Sequence, residues 1–566
     1  MDNEVFSFQE FGFHGVEAKF SCSDKGLESM EEVNGGKQFN FNGAEDWVSD
    51  FGFYQQDLLE EGFLFSKYRQ EEEYQTVSPP LQTCLEEIEK LGKFPTPIPE
   101  VEPQQEKQKP FPLASLELLN NYRNRFKRFN VEEGHKFSTE EIIRLAGAKF
   151  IRCSSKTADD LSMLRHPFDF SFYGLSNEEK KDVELAGFLF ASAEKVGCQL
   201  FYRASKLLNE CDRWSSNTGD PVRRVVYYFS KALREKIDRE TGRITSKDLE
   251  KRVSFDVDEA MMSLNPTVLA SHEGLPTLPF CQVAEFAGIQ AIIESMAEVR
   301  KIHIIDPAIR NGVQWTTLMQ AVANRHECPL ELLKITAVGT TSKHVIEHTG
   351  KQLASFAQAA NLPFSFKVVM VSDMLDLKDL LEIDADERVA VYSQYFLRSM
   401  LSQPNWLESI MGVVKSINPC IMVVIEVEAN HNSPAFDSRF IEALFFFSAY
   451  FDCIETFMKR DNPNRMIIES EYFGEGIRSI VATEGEEREL RHVKIDVWRA
   501  FFARFGMVDT ELSILSLDQA HLMVKRFDCE KSCKLHMNGK CLIIGWKGTP
   551  IHSICLEVPF TRIERA

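Results

Sequence analysis

The chain lacks several features that would settle its class quickly. No run approaches the roughly 18 uninterrupted apolar residues that span a bilayer, so a membrane-spanning helix is not expected. The start, MDNEVFSFQEFGF, has no basic segment ahead of an apolar one, and a secretory leader is not expected either. The 13 cysteines stand singly along 566 residues. That scatter predicts reduced thiols in the cytosol or nucleus rather than a disulfide framework. GxSxG, HExxH and the Walker pattern are all absent, which removes the commonest nucleophile-elbow, zinc-protease and P-loop chemistries. Basic residues are scarce at one end: residues 1–100 hold 21 acidic and 7 basic side chains, a net of −14 within the chain's −20. Such a balance works against non-specific DNA affinity, which comes from neutralising phosphates with Lys and Arg.

What is present divides the chain near residue 110. Residues 1–110 mix acids with Phe, Trp and Tyr and show no steady period, as in "DWVSDFGFYQQDLLEEGFLF". They are expected to form a disordered acidic-aromatic tail, which either contacts co-regulators or stays solvated, ending in a proline-rich linker over 92–112. From 111 the period turns helical. "LASLELLNNYRNRFKRF" carries a basic cluster, Arg123, Arg125, Lys127 and Arg128, and "STEEIIRLAGAKFI" has Ser138 as N-cap with Glu141 in the capping-box position. Residues 182–211 read as two leucine-rich helices. Leu185, Phe188 and Leu189 share one stripe, and Leu200, Leu207 and Leu208 lie on the next. These stripes are candidates for a partner-binding face, with an internal bundle core as the plainer alternative. A helical cap is thus expected over about 113–280.

After residue 280 helices alternate with apolar strands: "KIHIID", "LLKITAVG", "FSFKVVMV", "ERVAVYSQYF" and "PCIMVVIEVEA". Unbroken apolar strands separated by helices imply a mostly parallel, doubly wound sheet covered on both faces. Near the end, Asn538-Gly539 between apolar runs predicts a type I′ hairpin at one sheet edge. This α/β layout, over about 281–566, is that of the S-adenosylmethionine methyltransferases. An enzyme of that kind needs glycines in the first turn and an acid at the end of the second strand. Here the turn is Asp306-Pro307-Ala308-Ile309-Arg310-Asn311-Gly312, with one glycine, and the second strand ends at Gly339. Both requirements fail, so no catalytic residue and no cofactor are expected. Asp306, Asn311, Gln314, Glu428 and His431 remain as candidates to line a vestigial pocket. Cys529, Cys533, His536 and Cys541 have zinc-like identities at non-standard spacing, and a hairpin explains them without a metal.

Several of these stretches coincide with the motifs of one family. "IHIIDPAIRNGVQW" resembles the VHIID motif (Ile302, His303, Ile304, Ile305, Asp306) of the GRAS family of plant transcriptional regulators. "SPAFDSRFIEALFFFSAYFD" is similar to its PFYRE region, with Pro434, Arg439, Phe440 and Glu442 in place. "RELRHV", with Arg488 and Arg491, precedes a segment spaced like the family's, from Trp498 to Gly506. "CLIIGWKGTPIHSICLE" resembles its last motif and retains Trp546. The leucine-rich block is most like the DELLA branch, yet no Asp-Glu-Leu-Leu-Ala stretch occurs. Leu490 and Val493 replace acids usual in the family, so its ion-pair network is expected to be reduced. The resemblance implies a nuclear regulator that contacts other GRAS proteins, as a homo- or heterodimer, and other transcription factors. DNA contact would be indirect. Direct DNA binding, and a small-molecule receptor or methyltransferase-like enzyme, stand as alternatives.

Overall fold

The computed structural model describes residues 137–154, 175–244, 278–326, 328–340, 343–371 and 376–560. The acidic-aromatic tail, the linker and the basic cluster at 123–128 lie outside the described residues.

Four helices come first. α1 spans Thr139–Ser154 and α2 Asn177–Gly197, followed by α3 at Phe201–Trp214 and α4 at Pro221–Glu240. The capping box expected at α1 forms: the Ser138 backbone N–H donates to Glu141 Oε2 at 2.7 Å, and the Glu141 N–H donates to Ser138 Oγ at 3.3 Å. α2 opens with a second box, Ser176 with Glu179. In α4 a proline occupies the first turn, where a missing N–H costs nothing. α2, α3 and α4 pack on one another.

The rest is α/β. α5 (Pro279–Ser295) leads into β1 (Lys301–Asp306), α6 (Val313–Ala323), β2 (Leu332–Gly339), α7 (Lys343–Ala359), β3 (Phe364–Met370) and β4 (Arg388–Gln394). Then follow α8 (Pro404–Ile417), β5 (Ile421–Val427), α9 (Phe436–Phe457), α10 (Glu475–Ala482), α11 (Ile495–Arg504), β6 (Met507–Thr510) and α12 (Ile514–Arg526). β7 (Cys533–Asn538), β8 (Cys541–Trp546) and β9 (Thr549–Pro559) close the described chain. The sheet has nine strands in the order β3-β2-β1-β4-β5-β9-β8-β7, with β6 on β9. β1 to β5 are parallel and β6 to β9 antiparallel. Both faces are covered. Ile302 and Ile304 enter one apolar core, while Ile305 enters the other. α5 lies close on β5, where a Cβ at Gly288 would meet Val423 Cγ1 at 2.8 Å.

Two details differ from the sequence expectation. The antiparallel part is larger than a hairpin, because β9 inserts between β5 and the β7–β8 pair. The turn is also displaced by one residue. Asn538 pairs with Cys541, so Gly539 and Lys540 form the loop, and of these two only Gly539, at φ 60°, has positive φ. That is the pattern of a type II′ turn, with glycine at the first central position.

The cysteines differ as well. Cys541 and Cys555 are bonded, facing each other across β8 and β9 with Cα atoms 4.7 Å apart. An expectation of thiols throughout fails here because strand pairing, invisible in the spacing, makes them neighbours.

Candidate functional site

In an open α/β sheet the crevice lies beyond the carboxyl ends of the strands, where the strand order reverses. Here that point is between β1 and β4. Asp306 ends β1 there, with 2% of its surface exposed. Its Oδ1 accepts from the Ala308 N–H at 3.1 Å, and its Oδ2 from Trp315 Nε1 at 3.0 Å and Gln314 Nε2 at 3.4 Å. Burial pushes the carboxyl up to about 7. The carboxylate thus holds its own loop and the first turn of α6. Asn311 is exposed and accepts from the Val313 N–H at 3.3 Å, another local turn contact. Gly312, the N-cap of α6, has φ 70°, and a Cβ there would meet Thr349 Cγ2 at 2.9 Å. Thr349 Oγ1 donates to the Arg310 carbonyl at 2.8 Å, tying the loop to α7. The Arg310 guanidinium lies over the Tyr395 ring, 5.2 Å from its centroid.

The other VHIID side chains are interior. Ile302, Ile304 and Ile305 are core residues. His303 is fully buried, with Nδ1 2.8 Å from Glu387 Oε2 and Nε2 2.8 Å from Thr336 Oγ1. Burial lowers its pKa, against the pull of Glu387. Lys334 reaches the same carboxylate at 3.0 Å.

Glu428 and His431 serve a second cluster. Glu428 Oε2 accepts from the Ile495 N–H at 3.0 Å and so caps α11, while burial raises the carboxyl to about 7. His431 Nδ1 lies 2.8 Å from His492 Nδ1, and its backbone N–H donates to the His492 carbonyl at 3.0 Å. Burial takes its pKa down to about 3. The five pocket candidates therefore divide between two sets of hydrogen bonds, each bracing a loop. A group the sequence did not reveal joins β9 to α9 and to the end of β4: His552 bridges the hydroxyls of Tyr395 and Tyr450, each at 3.0 Å. Its members are 157 and 102 residues apart in the chain, so no spacing signals them.

The leucine stripe needs correction. Leu185, Phe188, Leu189, Leu207 and Leu208 are 7% exposed or less, so these five are core and not a surface. α2 is enclosed by α1, α3 and α4, and α3 turns its leucines toward α2 and α4. Of the six candidates only Leu200 reaches the surface, 43% exposed. Leu200 is the N-cap of α3, and α3 itself exposes Tyr202, at 74%, and Trp214, at 53%. Lys206 lies over Tyr202 and Arg213 over Trp214, at 4.5 and 5.3 Å from the ring centroids.

The zinc-like set also separates. Cys541 is bonded to Cys555, whereas Cys529 and Cys533 are buried thiols.

Residues 185–556 match the GRAS domain family. The chain belongs to the GRAS domain family. Among relatives, DELLA protein RGL1 of Arabidopsis thaliana is 31% identical, over 66% of this chain and 70% of that protein. DELLA protein GAI1 of Vitis vinifera is 29% identical, over 67% of this chain and 62% of that protein. The match thus spans less than two thirds of GAI1. The structure of SCL7 from Oryza sativa aligns with TM-score 0.55 at 24% identity, over 65% of this chain and 99% of that one, and shares the fold.

The GRAS motif residues are structural joints in this chain. Phe440 is fully buried edge-on against Phe229 of α4, joining the cap to α9. Trp498 stacks on Phe502, with centroids 5.9 Å apart. Gly506, at φ 75°, accepts from the Phe560 N–H at 2.9 Å. Trp546 Nε1 donates to Asp452 Oδ2 at 2.7 Å, and Lys494 pairs with Glu442 at 3.0 Å. Arg439 is fully buried and donates to the carbonyls of Ser433 and Pro434, each at 2.9 Å. Pro434 itself is exposed.

Proposed function

We propose that this GRAS chain is a plant transcription regulator that works in the nucleus by protein–protein contact, with other GRAS proteins or with DNA-binding factors. The observation that carries the non-catalytic part is the use of Asp306: all three of its hydrogen bonds run to its own loop and helix, and the second strand ends in Gly339. A coenzyme ribose would find neither acceptor. The docking surface is α3 with its N-cap Leu200, where Tyr202 and Trp214 stand in solvent at different points around the helix, with Lys206 and Arg213 against their rings. Aromatic and arginine side chains of this kind dominate binding energy at protein interfaces. DNA is then contacted through the partner.

Co-purification from plant nuclei with the full chain tests this. The double variant Tyr202→Ala/Trp214→Ala is expected to keep its melting temperature and lose its partners. Retention of every partner by that folded variant would sink the docking face. The exposed Arg203, Lys206 and Arg213 also favour a second reading, direct DNA binding. A steep loss of duplex affinity with salt, abolished by Lys206→Ala/Arg213→Ala, would establish it.

A further inference from the structure

We propose that Arg439, Arg488 and Arg491 form a receiving site for a phosphate-type oxyanion, opening between residues 432–435 and 484–487. The site is separate from the α3 face and does not depend on it.

The three guanidiniums meet at one loop. Arg439 and Arg488 both donate to the Ser433 carbonyl, at 2.9 and 3.1 Å. Arg491 donates to Asn432 Oδ1 at 2.9 Å and to the Gly485 carbonyl at 2.6 Å. Their charges are unevenly compensated. Glu484 is shared by Lys236 and Arg439, Glu442 is paired with Lys494, and Glu487 with Arg239. Among the described residues neither Arg488 nor Arg491 has a carboxylate partner. Arg488 is 5% exposed, and its one side-chain hydrogen bond is to Ser433. The Nε–H of Arg488 and that of Arg491 are buried and find no acceptor among the described residues. Leu490 and Val493 sit beside them and turn into the apolar cores.

A buried guanidinium without a counter-charge is costly. Burial, with Arg439 and Arg491 alongside, brings the Arg488 pKa down to about 9. Glu484 acts on both Arg488 and Arg491 from beyond salt-bridge distance and already serves Lys236 and Arg439, so the excess positive charge suits a dianion. A phosphate group carries about −1.5 to −2 charge at neutral pH and offers several acceptors to the planar edge of an arginine. A lone carboxylate would neutralise half of the excess. Pro434, Ala435, Glu484 and Gly485 are exposed, so the approach is from solvent. Both Nε atoms are screened as the chain stands, so a bound anion turns the guanidinium edge toward this exposed rim. The same chemistry can arrive on a free phosphorylated small molecule or on a phosphorylated side chain of a partner.

Melting curves of the full chain at matched ionic strength test the site. About 20 mM inorganic phosphate is expected to raise Tm by roughly 2–4 °C over chloride. Arg488→Met should remove that increment while leaving Tm in chloride equal or higher, since it replaces an unpaired buried charge by an apolar side chain. A phosphoserine peptide that outcompetes free phosphate assigns the source to a partner, and a peptide with no advantage assigns it to a small molecule. Equal Tm in phosphate and chloride, or an increment that survives Arg488→Met, overturns the proposal. Should Arg488→Met not fold, phosphorus NMR on the wild-type chain decides. Line broadening that Arg491→Met abolishes supports the site, and broadening that is absent or unchanged refutes it.

Discussion

At the scale of single residues, the first loop is braced by its own aspartate. Asp306 accepts three hydrogen bonds from within its own segment, and Gly312 provides the left-handed backbone that starts α6. Gly312→Ala should cost about 1–3 kcal/mol, because φ is positive and the added Cβ would stand 2.9 Å from Thr349. Urea unfolding of the purified variant measures it. Glu557 lies near the end of β9. It is 1% exposed, and burial beside Asp509 raises its carboxyl to about 8. A raised folded pKa means that its contribution is fully present below the unfolded value, near 4.3. It is lost as pH rises through about 8. Glu557→Gln should therefore gain stability relative to wild type between pH 5 and pH 8, read from urea midpoints at both. An unchanged difference at the two pH values would show that the carboxyl titrates normally.

At the scale of elements, the leucine-rich block separates what a period reveals from what it hides. Helical spacing identified α2 and α3 and grouped Leu185, Phe188 and Leu189 on one stripe. It left open what that stripe meets, because a helix facing its own core and one facing a partner show the same 3.6-residue repeat. Folding decides for core. Leu189→Asp should consequently cost more than 3 kcal/mol, since it buries an unpaired charge among α2 neighbours. Tyr202→Ala should change stability by roughly 0.5 kcal/mol or less. Thermal melts of the two variants distinguish an interior stripe from a docking one. The last hairpin shows the same limit on a smaller scale. Asn-Gly marked a turn, and the register of β7 on β8 moved it forward by one residue. Register is set by which side chains the two strands bury, and a dipeptide does not contain that.

At the scale of the whole molecule, the sheet order places its switch point between β1 and β4, where open α/β sheets seat their ligands. Here the side chains at that point bond to one another. Calorimetric titration with S-adenosylmethionine should give no saturable heat, and micromolar binding would overturn the non-catalytic reading. The alternation of apolar strands with helices made the parallel half of the sheet legible, since β1, β2, β4 and β5 are largely buried on both faces and need no polar alternation. β9 was not legible as a central strand. "TPIHSICLEVP" mixes Pro, His, Ser and Glu into its run, and its partners lie in β5, β6 and β8.

The sequence by itself determined the leucine-rich helices α2 and α3, the five parallel strands and the family, because local period and motif spacing are properties of neighbouring residues. Only the tertiary structure decided that the leucine stripe is core, that Cys541 meets Cys555, and that Arg488 lies buried without a carboxylate. Each of these depends on which distant segments share a surface. Burial and pairing are set there by the packing of the whole chain.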